Sequence, residues 1–445
     1  MPEHAPNLPP GPRLPRPLQA SRWLFAPIPF MQACTDRYGD PFTVRMTGLP
    51  PMVFFTDPSA IRQIFTGDPR QFRAGQANRV FKAILGPNSL LLLDGRRHKR
   101  ERKLLMPPFH GARVRLYGEM MWEITDRSID TWPAGAAFPI HPYLKDITLE
   151  VILRVVFGVD EEPRLARLRG LVRDALRILD GSNPLRNIWI WPRFASLRSS
   201  IRELLREEVQ RRRAMPSNDR TDVMSLLLAA RDEDGQPMTD DEIRDEMITL
   251  LVAGHESTAA SLAWVIHRLL DNPDVLASAQ AELVSVAGNG SDASVPTPEQ
   301  VASLAYLDAI IKETARVNPV VPVVVRQLTT DLSIGNTSLP AGCIAAPCIY
   351  LIHRRPDLWN EPDVFDPTRF LDGRVDPYTF FPFGGGVRHC VGAAFATYEM
   401  KIVLARVLSR LVLRRAAGRA VRVVRRGLLL CPSQDLRVIM QPADC

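Results

Sequence analysis

The stretch Phe383-Gly-Gly-Gly-Val-Arg-His-Cys390-Val-Gly392 carries the most information in this chain. Apolar residues then recur at helical spacing, which predicts that an amphipathic helix begins just after Cys390. Unpaired N–H groups and the positive end of the helix dipole favour the thiolate of that cysteine. The three glycines allow unusual backbone conformations and a close approach to a flat ligand. Taken alone, however, a buried cysteine is most often an inert small hydrophobe.

These ten residues resemble the haem-binding signature of the cytochrome P-450 family, Phe-x-x-Gly-x-Arg-x-Cys-x-Gly, at every fixed position. The resemblance implies that Cys390 is the proximal thiolate ligand of a haem iron, a ligand that promotes O–O cleavage. It implies heme b as the cofactor, with Phe383, Gly384, Arg388 and Gly392 around it. Arg388 could pair with a ligand carboxylate.

Composition narrows the class of protein. The 445 residues include 56 basic and 49 acidic ones, a formal net charge of +7, which permits an acidic partner. Six cysteines without a C-x-x-C pair are typical of a reducing cytoplasm. The N-terminus resembles neither a signal peptide nor an anchor, and we expect no transmembrane helix. No G-x-G-x-x-G follows a strand, so we expect one P-450 domain over residues 1–445, with an extended lead-in at 1–20 and no fused reductase.

Local signals predict several elements. Thr239 to Glu242 forms a capping box that opens an apolar helix of about 30 residues, ending before Pro273 and long enough to cross the core. The sequence predicts a β-hairpin at residues 42–46 and 52–55 and a short helix at residues 58–66. It also predicts a helix at residues 298–317, capped by Thr297. Leu428–Leu430 and Leu436–Met440 are expected to pair as a second hairpin. The resemblance implies a mostly α fold with small sheets, with the haem between the long helix and the cysteine helix.

Ala253-Gly-His-Glu256-Ser257-Thr258 lies in the middle of the long helix, where glycine and hydroxyl residues are costly. One interpretation is local packing tolerance. The resemblance instead implies the distal oxygen site, where Ala253 and the glycine make room and where Glu256 and the next hydroxyl relay protons. The family usually has threonine at the position of Ser257, so a hydroxyl remains without the methyl that restricts χ1. Thr258 is a further catalytic candidate, but its side chain points about 100° away from that of Ser257 around the helix, so it cannot simply take the place of Ser257.

The basic run at residues 96–103 is, by itself, typical of a solvated helix face. His98 and Arg102 lie four residues apart and share one helical face. They resemble the family's pair that binds the two haem propionates, and Arg326 and Arg388 are further candidates for that role.

Glu313 and Arg316 lie one helical turn apart, which is most often a surface ion pair. With Arg369 they resemble the family's Glu-x-x-Arg motif and the arginine that completes a buried triad. The resemblance implies a structural role, in which the triad holds the loop that carries Cys390.

Pro319 to Val325 is an apolar stretch that ends at Arg326 and is typical of a buried strand. The resemblance places its first valines in the wall of the substrate cavity. The candidate wall residues are Leu250, Ala253, Val320 and Val321.

The resemblance implies a monooxygenase that inserts one atom of O2 into a lipophilic small molecule, with fatty acids favoured and terpenoids or polyketides possible. Electrons would come from NAD(P)H through a reductase and a ferredoxin or flavodoxin. Residues 401–426 contain nine basic and no acidic residues, either a solvated face or a docking surface for that acidic partner. Nucleic-acid binding is disfavoured because no aromatic residues interleave the charges. Two alternatives remain: a peroxide-using haem-thiolate enzyme (peroxygenase or isomerase), and a non-enzymatic haem sensor.

Overall fold

The computed structural model describes residues 8–158, 162–179, 191–214, 220–288, 296–371 and 373–442. Helices dominate these residues. The α-helices are α1 (Arg16–Phe25), α2 (Pro27–Tyr38), α3 (Pro58–Thr66), α4 (Ala74–Ala77), α5 (Lys82–Leu85), α6 (Gly95–Leu105), α7 (Ala112–Leu116), α8 (Gly118–Ile129), α9 (Ile140–Val151), α10 (Glu162–Leu179), α11 (Trp191–Ala214), α12 (Val223–Ala229), α13 (Asp240–Asp271), α14 (Pro273–Ala287), α15 (Pro298–Val301), α16 (Ala305–Val317), α17 (Ile349–Ile352) and α18 (Ala393–Arg410).

The strands are short and form small sheets. They are β1 (Phe42–Val44), β2 (Met52–Phe55), β3 (Phe72–Arg73), β4 (Phe138–Pro139), β5 (Arg326–Leu328), β6 (Leu332–Ile334), β7 (Thr337–Leu339), β8 (Ile344–Pro347), β9 (Leu411–Arg415), β10 (Val423–Arg426), β11 (Leu429–Pro432) and β12 (Arg437–Pro442). The largest described sheet has the order β1-β2-β8-β5-β3, and a second has the order β4-β12-β9. The expected mostly α fold with small sheets is confirmed.

Helix α13 is the central element of the core. The Thr239 hydroxyl accepts from the N–H of Glu242 at 3.2 Å, and the Glu242 carboxylate accepts from the N–H of Thr239 at 2.9 Å. This reciprocal cap starts a helix of 32 residues, about 48 Å long, that ends before Pro273 as predicted. The helix packs against α9, α16, α18 and β11, so apolar side chains are buried around most of its circumference.

The N-terminal predictions are largely confirmed. Strands β1 and β2 pair antiparallel, with Phe42 opposite Phe54, and α3 has the predicted bounds. The lead-in is shorter than expected, because α1 already begins at Arg16, with Pro17 in its first turn, where a missing N–H removes no helix hydrogen bond. Residues 1–7 of the lead-in lie outside the described part of the chain.

Two strand predictions are wrong. Residues 319–325 are coil, since Pro319 and Pro322 lack the N–H groups that a sheet ladder needs, and β5 starts only at Arg326. The two C-terminal segments are strands but do not pair with each other: β11 pairs with β10, and β12 pairs with β9 and β4. The helix predicted from Pro298 is also divided, with residues 302–304 separating α15 from α16.

Candidate active site

The loop that carries Cys390 is held by its own backbone. The N–H of Cys390 donates to the carbonyl of Phe383 at 3.0 Å, and the N–H of Gly384 donates to the carbonyl of Phe381 at 2.9 Å. Helix α18 begins at Ala393, as predicted, with Gly392 as its N-cap residue. Cys390 itself is accessible, unlike the described cysteines at positions 34, 343, 348 and 431, which are buried.

The protonation of Cys390 differs from the expectation drawn from the helix end. Although the Cys390 side chain is accessible, the protein atoms packed around it raise the pKa of the thiol, while a hydrogen bond from the Gly392 N–H and the charge of Arg102 act in the opposite direction. Because α18 starts three residues after the cysteine, its dipole does not dominate. A cation bound at the sulfur would therefore be needed to stabilise the thiolate.

The glycines of the loop serve its contact with α3. Gly386 has a φ of +63°, and a Cβ at this position would lie 2.1 Å from the carbonyl oxygen of Phe65. A Cβ on Gly385 would lie 2.3 Å from the Phe65 ring. The close approach that the structure shows is thus between the loop and Phe65. Gly384 has a φ of +69°, which confirms the expected need for glycine there.

The four basic side chains predicted to bind carboxylates lie within electrostatic reach of one another: His98, Arg102, Arg326 and Arg388. Burial and then the three guanidinium charges lower the pKa of His98 to about 3, so this imidazole is neutral at pH 7. Burial also lowers the pKa of Arg326 and of Arg388 to about 10. Asp94 is the carboxylate, among the described residues, whose charge acts on both of these arginines.

Arg388 has protein partners that the sequence did not reveal. Its Nη2 lies 2.6 Å from the Asp94 carboxylate, and its Nη1 donates to the carbonyl of Leu90 at 3.0 Å. Arg326 donates to the carbonyl of Gly385 at 3.3 Å, which ties β5 to the cysteine loop. One carboxylate against three arginines leaves this cluster with a net positive charge.

The donor set fits the group that the resemblance implies. An accessible cysteine sulfur suits a transition-metal ion, and the partly neutralised arginines suit two carboxylates of the same ligand. Arg102 connects the two features, because its charge acts on both the Cys390 sulfur and His98. The residues present therefore fit a ligand that carries a metal ion and two carboxylates.

In α13, the hydroxyls of the predicted distal site bond to the helix backbone. Ser257 Oγ donates to the carbonyl of Ala253 at 2.6 Å, and Thr258 Oγ1 donates to that of Gly254 at 2.8 Å. From α9, the Thr148 hydroxyl donates to the carbonyl of His255 at 3.0 Å. Such side-chain bonds into the ladder bend helices without breaking them, and α13 is continuous here.

Glu256 points towards α9. Its Oε2 lies 2.6 Å from the ammonium group of Lys145 and 3.7 Å from the Nε2 of His255. His255 is buried, and its Nδ1 lies 2.8 Å from the carbonyl of Leu251, so it is a packed histidine of the helix. The structure thus separates Glu256, which is buried, from Ser257, which is half-buried beside the exposed Ala253.

The proposed wall residues fall on two segments. On α13, Leu250 is half-buried and Ala253 is exposed. On the coil before β5, Val320 and Val321 are both half-buried, and the carbonyl of Val320 accepts from the N–H of Leu430 at 2.8 Å. The coil that replaces the predicted strand is therefore anchored to β11.

Glu313, Arg316 and Arg369 do come together. Arg316 makes two bonds of 2.7 Å to the Glu313 carboxylate, and both side chains are fully buried. The Nε of Arg369 lies 3.5 Å from the same carboxylate, which also accepts from the N–H of Asp366 at 3.0 Å. This geometry differs from the surface ion pair that is usual for the spacing.

His353 is a connecting residue that sequence reasoning missed. Its carbonyl accepts from Arg316 Nη1 at 2.8 Å, and its Nε2 accepts from the N–H of Phe381 at 3.2 Å. Burial, with the nearby arginine charges, lowers the pKa of His353 to about 3, which keeps the ring neutral and able to accept. The residue thus links Arg316 to the start of the cysteine loop. Its apolar neighbours in sequence were the available signal for burial.

The basic segment 401–426 carries fewer free charges than its sequence suggests. Arg406 and Arg410 pair with Asp126, while Arg415 pairs with Asp271. Others are enclosed: Lys401 is buried, and Arg425 stacks on Trp23 and is mostly enclosed. Acidic residues distant in sequence therefore neutralise part of the positive charge of this segment.

The fold and this site together define a haem-thiolate protein. A sequence model of the cytochrome P-450 family matches residues 9–439. The chain is 40% identical over 440 residues to cytochrome P-450 135B1 of Mycobacterium bovis, covering 97% of this chain and 91% of that one. It is 37% identical over 424 residues to cytochrome P-450 135A1 of Mycobacterium tuberculosis, covering 93% and 90%.

Solved structures of cytochrome P-450 proteins have the same fold as this chain. A cyanobacterial CYP120A1 with retinoic acid bound superposes with a TM-score of 0.86 at 25% identity, covering 99% of this chain and all of that one. The haem domain of cytochrome P450DA has the same fold, with a TM-score of 0.85 at 24% identity and 98% coverage of both chains. The chain belongs to the cytochrome P-450 family. It is a haem-dependent monooxygenase of bacterial type, which implies O2 and redox partners as co-reactants. Among the described residues, we find no helix that is both long and apolar enough to span a bilayer.

Proposed function

We propose that this monooxygenase binds heme b through Cys390 and oxidises a lipophilic small molecule. The observation that carries this proposal is the accessible sulfur of Cys390 beside three arginines that have, among the described residues, one carboxylate between them, Asp94. When bound, the haem would supply the activation of dioxygen. Phe383, Gly384 and Gly392 would form the loop that holds it on the side of α18.

The cations would bind and orient the two propionates. His98 would donate one neutral N–H, and Arg102 and Arg326 would supply charge-assisted bonds. Arg388 would share its guanidinium between Asp94 and a propionate. The test is the spectrum of the ferrous protein under carbon monoxide: we expect the red-shifted Soret band of a thiolate ligand, which Cys390→Ser should abolish. A wild-type protein without that band would overturn the assignment of Cys390.

Proton delivery would depend on α13. Ser257 would hold a proton at its Oγ, which now donates to the carbonyl of Ala253, a small residue that would leave space beside it. Glu256 would receive protons through its contact with Lys145 and pass them on by rotation of its side chain or through water. Thr258 would support the helix through its bond to Gly254 rather than act in sequence with Ser257.

The test of this role is the ratio of product formed to NAD(P)H consumed. We expect Ser257→Ala to lower the ratio and to release more hydrogen peroxide, because the last donor is lost. Ser261→Ala is the matched control, since Ser261 makes the same type of bond one turn later, to the carbonyl of Ser257. An unchanged ratio in Ser257→Ala would exclude the proposed role.

The substrate would be a lipophilic acid or a related apolar molecule. Leu250, Ala253, Val320 and Val321 offer aliphatic surface, and a structural neighbour is described with retinoic acid bound. We favour fatty acids, with terpenoids and polyketides as the next classes. A ligand screen that follows the Soret spin-state shift should give larger shifts for long-chain acids than for short or polar analogues.

Electrons would come from NAD(P)H in the cytoplasm through a reductase and a ferredoxin or flavodoxin. The docking surface would lie near the cysteine loop. There Arg115, Phe383 and Ala394 line a surface hollow of ≈ 410 Å³, and Arg113 is exposed beside it. Raised salt should slow electron transfer because exposed charge pairs are screened. If turnover with hydrogen peroxide alone equalled turnover with NAD(P)H and the redox partners, a peroxide-using enzyme would be favoured instead.

A further inference from the structure

A second cluster of potential metal ligands lies in the core, apart from the cysteine loop. It contains His141 of α9, Glu256 of α13 and Cys431 of β11, all buried. One ligand atom from each residue lies within 4.8 Å of the other two. The three elements pack on one another through α13, which contacts both α9 and β11. The convergence is therefore part of the core packing and not of a surface loop.

His141 makes this cluster unusual. Its side chain is 2% exposed, and neither ring nitrogen has a hydrogen-bond partner among the described residues. A buried polar group without a partner is costly, by about 1–3 kcal/mol, and is rare in native structures. Imidazole nitrogen is also the most common metal ligand in proteins. The orphaned ring thus points to a missing partner at this position.

We propose that His141, Glu256 and Cys431 form a binding site for a transition-metal ion of the zinc class. Nitrogen, carboxylate and sulfur together suit Zn²⁺, whereas Mg²⁺ and Ca²⁺ prefer oxygen ligands. Because the three ligand atoms lie within 4.8 Å of one another, a point exists within about 2.8 Å of each of them. Zinc bonds to such atoms are about 2.0–2.3 Å long, so this point is slightly too far from the ligands. Side-chain rotations that move each ligand atom by about 0.5–0.8 Å would close the site, leaving a fourth position for water.

Binding would rearrange the local charges. The thiol proton of Cys431 would leave to solvent, so that one thiolate and one carboxylate neutralise the dication. Lys145, now 2.6 Å from Glu256, would turn away, and its side chain is partly exposed, which gives it room. The charges of Lys145 and Arg426 act on His141 and would weaken the affinity, so we expect a regulatory or inhibitory site rather than a structural one.

The consequence for activity depends on the proposed function, in which Glu256 takes part in proton delivery. An ion on its carboxylate would hold Glu256 towards α9 and away from Ser257. Zinc should therefore slow turnover and divert electrons to hydrogen peroxide. Two separate results test the site and this consequence.

The test of the site uses the haem-loaded, tag-free protein after treatment with a chelator, titrated with Zn²⁺. We expect one zinc ion per chain by elemental analysis, and X-ray absorption at the zinc edge should show one sulfur neighbour. Cys431→Ser should weaken binding at least tenfold, and His141→Gln should do likewise. Cys343→Ser, which alters another buried cysteine, should bind zinc as the wild type does. Zinc without a sulfur neighbour, or equal affinity in Cys431→Ser, would overturn the site.

The test of the consequence compares turnover with and without zinc. We expect slowing in the wild type and in Cys343→Ser, and little change in Cys431→Ser. If zinc binds through sulfur but turnover is unaffected, the metal site stands and the role of Glu256 in proton delivery fails.

Discussion

Removal of the Glu313 carboxylate is the most direct test of how the cysteine loop is held. In Glu313→Ala, Arg316 loses two of its five side-chain bonds and keeps those to the carbonyls of His353, Pro362 and Val364. Its full positive charge then stays buried without a counter-ion, since the side chain has no exposure. Breaking a buried pair in this way costs about 3–5 kcal/mol.

That loss is a large fraction of the roughly 5–15 kcal/mol that stabilises a typical domain. Because Arg316 also bonds to His353, which holds Phe381, the damage should spread to the loop of Cys390. We therefore expect Glu313→Ala to be produced largely without haem. The assay is the ratio of Soret to protein absorbance, together with the urea midpoint of any haem-loaded fraction.

A matched control is available on α11. Glu203 and Arg206 have the same i,i+3 spacing and a 2.5 Å contact, but both side chains are about half exposed. Glu203→Ala should leave haem content and the urea midpoint unchanged, as is usual for solvated pairs. Normal haem loading of Glu313→Ala would refute the reasoning, because it would mean that the buried carboxylate is dispensable for the loop.

Three further predictions concern stability. The pKa of His353 is about 3 in the folded protein and 6.5 in the unfolded chain. The free energy of unfolding should therefore fall as pH drops from 6.5 towards 3, by up to about 1.4 kcal/mol per pH unit. Urea unfolding of His353→Gln at several pH values should show a shallower dependence of stability on pH. Gly386→Ala should destabilise the protein and lower its haem content, because the new Cβ would collide with the Phe65 backbone. The control is Gly427→Ala, which also has a positive φ but lies in open space. Gly427→Ala should lower the free energy of unfolding in urea by only about 1 kcal/mol. Thr239→Ala should cost about 1 kcal/mol by the same assay, and no change would mean that the capping box is not needed.

Local chemistry made much of this protein readable from its sequence. The start of α13 depends on Thr239 and Glu242, which are three residues apart, and its end depends on Pro273. The bounds of α3 and the hairpin of β1 and β2 follow from equally short-range signals. Such elements are predictable because the groups that satisfy the backbone are close in the chain.

The remaining features depended on partners that are distant in the chain. Strand β12 pairs with β9 and β4 rather than with β11, a choice made by sheet packing. Arg388 meets Asp94 almost 300 residues away, and the basic residues after Lys401 meet acids such as Asp126. The cluster of His141 with Cys431 likewise exists only after folding. Burial and charge pairing between remote residues are properties of the tertiary structure, so residue order alone did not reveal them.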